Sequence, residues 1–163
     1  MQLLALAVLA AAPAVAGAAT RDAEIRAAAE RIAPAVVAVR RDLHAHPELG
    51  NREERTGHLV AERLRDLGLE VRYPVAKTGV VGILRGGRPG GVVALRADMD
   101  ALPLDETSDL PFRSRTKGVM HACGHDAHMA MLLVAAKVLA RHRETLPGTL
   151  KLVVQPNEEV AGA

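Results

Sequence analysis

The chain has 163 residues, of which 25% are charged and 1% aromatic, and its formal net charge is +2. The 21 basic and 19 acidic residues are nearly balanced, and the arginines are scattered instead of massed, so nothing favours nucleic-acid binding. The length suits one domain with a hydrophobic core and is short for a two-domain enzyme.

The N-terminus is typical of an exported protein. The apolar run MQLLALAVLAAAPAVAGAA contains Pro13 and Gly17 and ends in small residues, as secretory signal peptides do. We predict a signal peptide at residues 1–19 and a mature chain at 20–163, periplasmic or secreted, with no stable membrane association after cleavage. An uncleaved anchor or a misplaced start codon is the alternative, because no Lys or Arg precedes the apolar run.

Two helices are predicted after the signal peptide. Apolar residues recur with a helical period over 20–41, where Pro34 is tolerated, and over 53–67, where Gly68 ends the pattern. The segment between the two helices is predicted to be a turn.

Strand-like segments follow at 69–75, 79–87 and 91–97. The stretch GGRPGG predicts a hairpin-type turn between the last two, which would make them neighbours in the sheet. The four consecutive apolar residues after Gly91 are typical of a strand covered on both faces.

The rest of the chain predicts a loop at 98–120, a helix that Asp126 caps, and a strand at 148–156. The order helix, helix, strands, helix, strand indicates an α/β fold with helices packed on a mixed, largely buried β-sheet.

The octapeptide HACGHDAH places the one cysteine, Cys123, close to His125. A thiolate beside an imidazole favours zinc or a similar metal, and Gly124 permits a tight bend between the two. Both side chains can reach one ion only if the helix has not begun before them. The alternative is a buried cysteine at a helix start with solvent-facing histidines.

Carboxylates follow two of the predicted strands. Asp98 and Asp100 come after the strand at 91–97, and Glu158 and Glu159 come after Pro156. Ligand and catalytic groups of open α/β sheets collect at such strand ends. Taken singly, the aspartates also fit a solvated acidic turn, and the glutamates fit the acidic first turn of a helix.

Four strings, RRDLHAHPELG, GVVALRADMDALPL, MHACGHDAHMAMLL and QPNEE, resemble the two-metal amidohydrolases. That family includes hippurate hydrolase, N-acyl-amino-acid amidohydrolases and auxin-conjugate hydrolases, and the resemblance covers residues 25–163. It implies a di-metal hydrolase catalytic domain, two divalent ions, usually zinc or manganese, and release of an acyl group from an amino acid.

The resemblance also implies roles for particular residues. Cys123, His125 and Glu159 correspond to metal ligands, and Glu158 corresponds to the general base. Asp100 corresponds to a carboxylate that supports the ligands and the catalysis, whereas the role of Asp98 stays open.

Four further histidines receive weaker predictions. His44 and His46 belong to the N-terminal string of the family and are expected to be structural. His121 is expected to line the site, and His128 to be packed or hydrogen-bonded beside it.

The family normally continues well beyond this length, with more ligand histidines and a smaller domain that often dimerises. The resemblance therefore implies a truncated catalytic domain, a small-molecule substrate, and a homodimer formed through a domain absent here. A catalytically incompetent fragment with a partial metal site is the first alternative. A thiol redox or cysteine-nucleophile protein is the second, although no resolving cysteine accompanies Cys123.

Overall fold

The structure is a computed structural model that describes residues 14–160, with side chains from residue 22 onward. It divides into one compact unit up to Pro34 and another from Ala35. Helix α1 (Ala14–Ala45) contains Pro34, as predicted, and extends beyond the predicted 20–41 at both ends. Residues 1–13 of the predicted signal peptide lie outside the described part. Among the described residues, no helix has the length and apolar character needed to cross a membrane.

The second unit contains the sheet and the remaining helices. In chain order, these are α2 (Glu54–Asp66), β1 (Glu70–Val75), β2 (Gly79–Arg85), β3 (Arg88–Asp98), α3 (His125–Arg141), a short 3-10 turn (Arg143–Thr145) and β4 (Pro147–Gln155). The sheet order is β1-β2-β4-β3, with β4 antiparallel to β2 and parallel to β3. The predicted α/β fold on a mixed sheet is confirmed.

The predicted pairing of β2 with β3 is wrong, because β4 lies between them. The glycines that suggested a hairpin let the connection pass close to the start of β4. The Gly86 amide donates to the Gly148 carbonyl at 2.8 Å, and a Cβ on Gly148 would overlap the Gly91 carbonyl oxygen. A tight turn and a close backbone passage both require glycine, so the sequence pattern does not distinguish them.

Helices cover one face of the sheet. Side chains alternate along β4, so Leu152 is buried against the helices while Lys151 is exposed on the opposite face. The residues that join this core from the helices are Leu43, Val60, Ala61, Leu64, Met129, Leu132, Leu133 and Ala136. Val92 and Val93 of β3 are 62% and 60% exposed. Consecutive side chains of a strand point to opposite faces, so the prediction that this strand is covered on both faces is wrong at Val92 and Val93.

Replacing Gly148 with Ala should lower the free energy of unfolding by about 2 kcal/mol, because Gly148 has a φ of 75° and its Cβ would meet backbone. Gly91→Ala is the matched control, since no described atom lies within 4 Å of its Cβ position. It should be neutral or gain about 0.5 kcal/mol. Urea denaturation followed by circular dichroism measures the free energy of unfolding of both variants. Equal effects of the two substitutions would contradict the close backbone contact at Gly148.

Candidate metal centre

The parallel pairing of β3 and β4 brings the predicted carboxylates to one edge of the sheet. Asp98 lies opposite Gln155, and the Met99 amide continues the pairing by donating to the Gln155 carbonyl at 3.0 Å. Both strands end here, so the residues after them share this edge. Glu158 and Glu159 therefore lie beside the segment that follows β3.

Helix α3 begins at the same edge. Gly124 occupies the N-cap position with a φ of 94°, a left-handed conformation that glycine adopts without strain. His125 is then the first helical residue, and Cys123 precedes the helix. Both side chains can reach one ion only if the helix has not begun before them. The structure meets this condition, because the helix begins only at His125.

Asp126 was predicted to cap α3, and this prediction is wrong. Its side chain is fully buried, and its Oδ2 accepts from Arg40 Nε at 3.1 Å and lies 2.8 Å from His44 Nδ1. Two basic groups of α1 thus engage the carboxylate. The start of α3 is instead defined by the backbone turn at Gly124.

Cys123, His125 and Glu159 form one candidate metal group, whose ligand atoms lie within 4.8 Å of one another. Cys123 is exposed, His125 is buried and Glu159 is partly buried. Sulfur, nitrogen and carboxylate oxygen together form a donor set that zinc and similar borderline metals accept. The fold thus assembles the three predicted ligands.

The imidazole of His125 has a defined orientation. Its Nδ1 is 2.8 Å from the carbonyl oxygen of Asp100, and a carbonyl only accepts, so Nδ1 carries the proton. The other nitrogen, Nε2, is then free to bind a metal ion. Nε2 lies 3.6 Å from Glu159 Oε1 and 3.8 Å from Glu158 Oε2.

Asp100 lies behind the ligands and contacts two of them. Its Oδ2 accepts the backbone N–H of Glu159 at 2.9 Å. Its Oδ1 lies 3.4 Å from His125 Nδ1 and, like Glu159 Oε1, is buried with no hydrogen-bond partner among the described residues. Asp100 therefore fixes the backbone of one ligand through its side chain and the imidazole of another through its carbonyl.

Asp98 belongs to a second, overlapping group with His125 and His128. Its Oδ1 is 2.6 Å from His128 Nδ1, and its Oδ2 is 2.9 Å from Arg96. Burial favours a raised pKa for Asp98, but the hydrogen bond from His128 and the nearby His125 and Arg96 more than offset it and lower the pKa. Because His125 offers only Nε2, it can serve one ion at a time, and Asp98 already contacts Arg96 and His128.

The surroundings of Cys123 disfavour a nucleophilic role. A hydrogen bond to Glu159 raises the pKa of the thiol, and burial and the charges of Glu159, Glu158 and Asp98 add to the effect. Reactive cysteines need a lowered pKa, which neighbouring cations or a metal provide. The thiol chemistry of this site therefore favours metal binding over the cysteine-nucleophile alternative.

His121 is 4% exposed, in contrast to the exposed Cys123 two residues later. Burial lowers its pKa to about 4, more than the nearby Asp126 and Asp100 can offset, so the ring is neutral. Neither ring nitrogen has a hydrogen-bond partner within residues 14–160. His121 is thus buried, with its ring centroid 6.5 Å from that of His44, and does not open to solvent beside the thiol.

Residues 94–163 match the model of Peptidase family M20/M25/M40. The chain is 53% identical over 128 residues to thermostable carboxypeptidase 2 of Saccharolobus solfataricus, a match that covers 78% of this chain and 33% of that protein. It is 49% identical over 124 residues to hippurate hydrolase of Campylobacter jejuni, covering 76% and 32%. The chain is similar to members of this peptidase family. It spans about a third of the length of these two relatives.

A solved M20 structure has the same fold. The YXEP protein of Bacillus subtilis, a dinuclear metal-binding peptidase of the M20 family, superposes with a TM-score of 0.73 at 43% identity. The match covers 77% of this chain and 35% of that one. The edge where β3, β4 and α3 meet therefore belongs to an M20 catalytic fold.

Sequence reasoning missed Glu53, which supports the segment that carries the glutamate pair. Its side chain is fully buried. Its carboxylate accepts hydrogen bonds from the backbone N–H of Asn157 at 2.9 Å and from the Thr78 hydroxyl at 2.6 Å. Asn157 has a φ of 54° and directly precedes Glu158. In the sequence, Glu53 is one of several charged residues at a helix start, and only its distant partners reveal its function.

Glu159→Gln in the metal-free chain should speed alkylation of Cys123. The substitution removes the negative charge and the carboxylate acceptor that raise the thiol pKa, so the pKa falls and the thiolate fraction increases. At a pH below the thiol pKa, alkylation should therefore be several-fold faster, because the rate follows the thiolate fraction. Iodoacetamide labelling followed by intact-mass measurement gives the rate. Glu62→Gln, on the exposed face of α2, is the control. An unchanged rate would show that Glu159 does not contact the thiol.

Glu53→Ala should lower the free energy of unfolding by about 2 kcal/mol, because it leaves the buried backbone N–H of Asn157 without an acceptor. Glu54→Ala is a suitable neighbour for comparison, since Glu54 is exposed in the first turn of α2. Thermal and urea unfolding measure the difference. Equal stability of the two variants would contradict the supporting role of Glu53.

Proposed function

We propose that the chain is the N-terminal part of an exported, metal-dependent amide hydrolase that releases an acyl group from an N-acyl-amino acid or a similar conjugate. The observation that carries the proposal is the grouping of Cys123, His125 and Glu159, with Glu158 beside them. The hippurate hydrolase and N-acyl-L-amino acid amidohydrolase relatives support this substrate class.

We propose two divalent ions, zinc or manganese, at this centre. The thiolate, imidazole and carboxylate donors fit such ions, and the buried Glu159 Oε1, which has no partner among the described residues, fits a ligand oxygen. Divalent ions at such sites supply Lewis-acid activation of water and of the amide carbonyl. The group that contains Cys123 would hold one ion, and the second would need ligands beyond this group.

Glu158 suits the role of general base. Its side chain is 38% exposed, and its Oε2 lies 3.8 Å from the Nε2 face of His125, so water reaches it beside the ligands. It would take a proton from the attacking water and then deliver it to the leaving nitrogen. Asp100 would keep His125 and Glu159 in place during both transfers.

The wider assignments follow from the same proposal. The partner is a small-molecule N-acyl-amino acid or a peptide-like substrate, and the complete protein forms a homodimer through a domain outside this chain. The N-terminal apolar run directs export to the periplasm or beyond.

A second candidate function is metal binding without turnover. The number of ligands favours it, because the two three-ligand groups of the described residues share His125, whose single free ring nitrogen serves one ion. In this case the chain would bind a divalent ion through Cys123 and would not hydrolyse an amide.

Glu158→Gln separates the two candidates when measured in the chain supplied with Zn²⁺ or Mn²⁺ and N-benzoylglycine. For a general base, kcat should fall about 10²- to 10⁴-fold while Co²⁺ affinity stays unchanged. Cys123→Ala should instead weaken Co²⁺ binding and remove the thiolate-to-cobalt absorption band.

Glu62→Gln, on the exposed face of α2, is the control for both measurements. If the unsubstituted chain binds Co²⁺ but releases no glycine, the second candidate holds. If Glu158→Gln hydrolyses the substrate like the parent, its assignment as general base is wrong.

A further inference from the structure

A buried histidine outside the metal group lies between two carboxylates. His44, in the last turn of α1, is 3% exposed. Its Nδ1 is 2.8 Å from Asp126 Oδ2, and its Nε2 is 3.3 Å from Glu106 Oε1. Both ring nitrogens of His44 therefore face carboxylate oxygens, one on each side of the ring.

Both carboxylates fit this arrangement. The Glu106 side chain is 2% exposed, which favours a raised pKa, but hydrogen bonds from Ser108, the Ser114 backbone and His44 more than offset burial and lower it. Asp126 also accepts from Arg40 at 3.1 Å. Arg40, Asp126, His44 and Glu106 therefore form a continuous series of polar contacts from α1 to the loop after Asp100.

The same turn of α1 also holds the loop after Asp100. Phe112, the one phenylalanine of the chain, packs edge-on against His44 with ring centroids 5.6 Å apart. The Arg41 guanidinium lies 4.9 Å from the centre of the Phe112 ring, and the Arg115 amide donates to the Ala45 carbonyl at 2.9 Å. His44 therefore connects the loop to the first turn of α3.

The segment that carries Cys123 and His125 lies between two fixed points. On one side, Met120 exchanges two backbone hydrogen bonds of 3.0 Å with Leu102. On the other side, Asp126 is held by His44. No side-chain cap fixes the helix start at Gly124 among the described residues, so these two ends, together with the Asp100 carbonyl that contacts His125 Nδ1, determine where the ligands lie.

We propose that His44 is a positioning residue that joins Asp126 to Glu106 and thereby holds the Cys123–His125 segment in its metal-binding geometry. The inference rests on the proposed metal centre for its functional consequence. The structural part of the proposal, that His44 holds residues 121–126 in place, applies to the metal-free chain as well.

His44→Asn and Glu106→Gln test the connection. Asparagine places its amide near the position of Nδ1 and keeps the contact with Asp126, but it does not reach Glu106. In the metal-free chain, hydrogen exchange of residues 121–126 should accelerate in both variants, while exchange in α2 stays unchanged. The dissociation constant for Co²⁺ should rise about 10-fold, as for partners of metal ligands.

The double variant should match the more severe single variant, because both substitutions remove the same contact. His58→Asn is the matched control, since it removes an exposed histidine that lies 3.0 Å from Glu62 on α2. It should change neither readout.

The exchange measurement separates this inference from the proposed function. If the parent chain binds no Co²⁺, the metal centre fails, while the exchange rates still decide whether His44 holds the segment. Exchange at residues 121–126 that equals the parent in both variants would overturn the inference. Acceleration spread evenly over the whole chain would also overturn it, because His44 would then serve only global stability.

Discussion

The parallel pairing of β3 with β4 is the constraint on which the site depends. It places Asp98 opposite Gln155, so two chain segments that are 57 positions apart end at the same edge of the sheet. Helix α3 connects these strands and begins at that edge with His125. A one-residue slip in this register would turn Leu150 and Leu152 away from the helices and move Glu159 relative to Asp100.

The positions of the motifs in the sequence predicted much of this arrangement. Carboxylates directly after apolar strands predicted a shared edge, and a thiol and imidazole separated by one glycine predicted a common ligand point. Cys123, His125 and Glu159 do come together. These predictions depend on local chain direction and strand ends, which hydrophobic patterning reveals well.

Sheet order and partner choice were not predictable in the same way. The stretch GGRPGG is typical of a hairpin, but its glycines allow the backbone to pass close to β4. Asp126 is typical of a helix cap, but its carboxylate contacts Arg40 and His44. Glu53 contacts an amide 104 positions away. Such contacts depend on which elements pack together, and a single sequence contains no direct record of that packing.

The balance of charge explains why this edge favours a cation. Carboxylates of Glu158, Glu159 and Asp98 lie within 4 Å of His125 Nε2, and the same three residues raise the pKa of Cys123. The Arg96 guanidinium offsets the charge of Asp98, so the uncompensated negative charge lies at the glutamate pair beside the thiol. A divalent ion there would attract the glutamates and ionise the thiol, so metal binding, proton release and stability would be coupled.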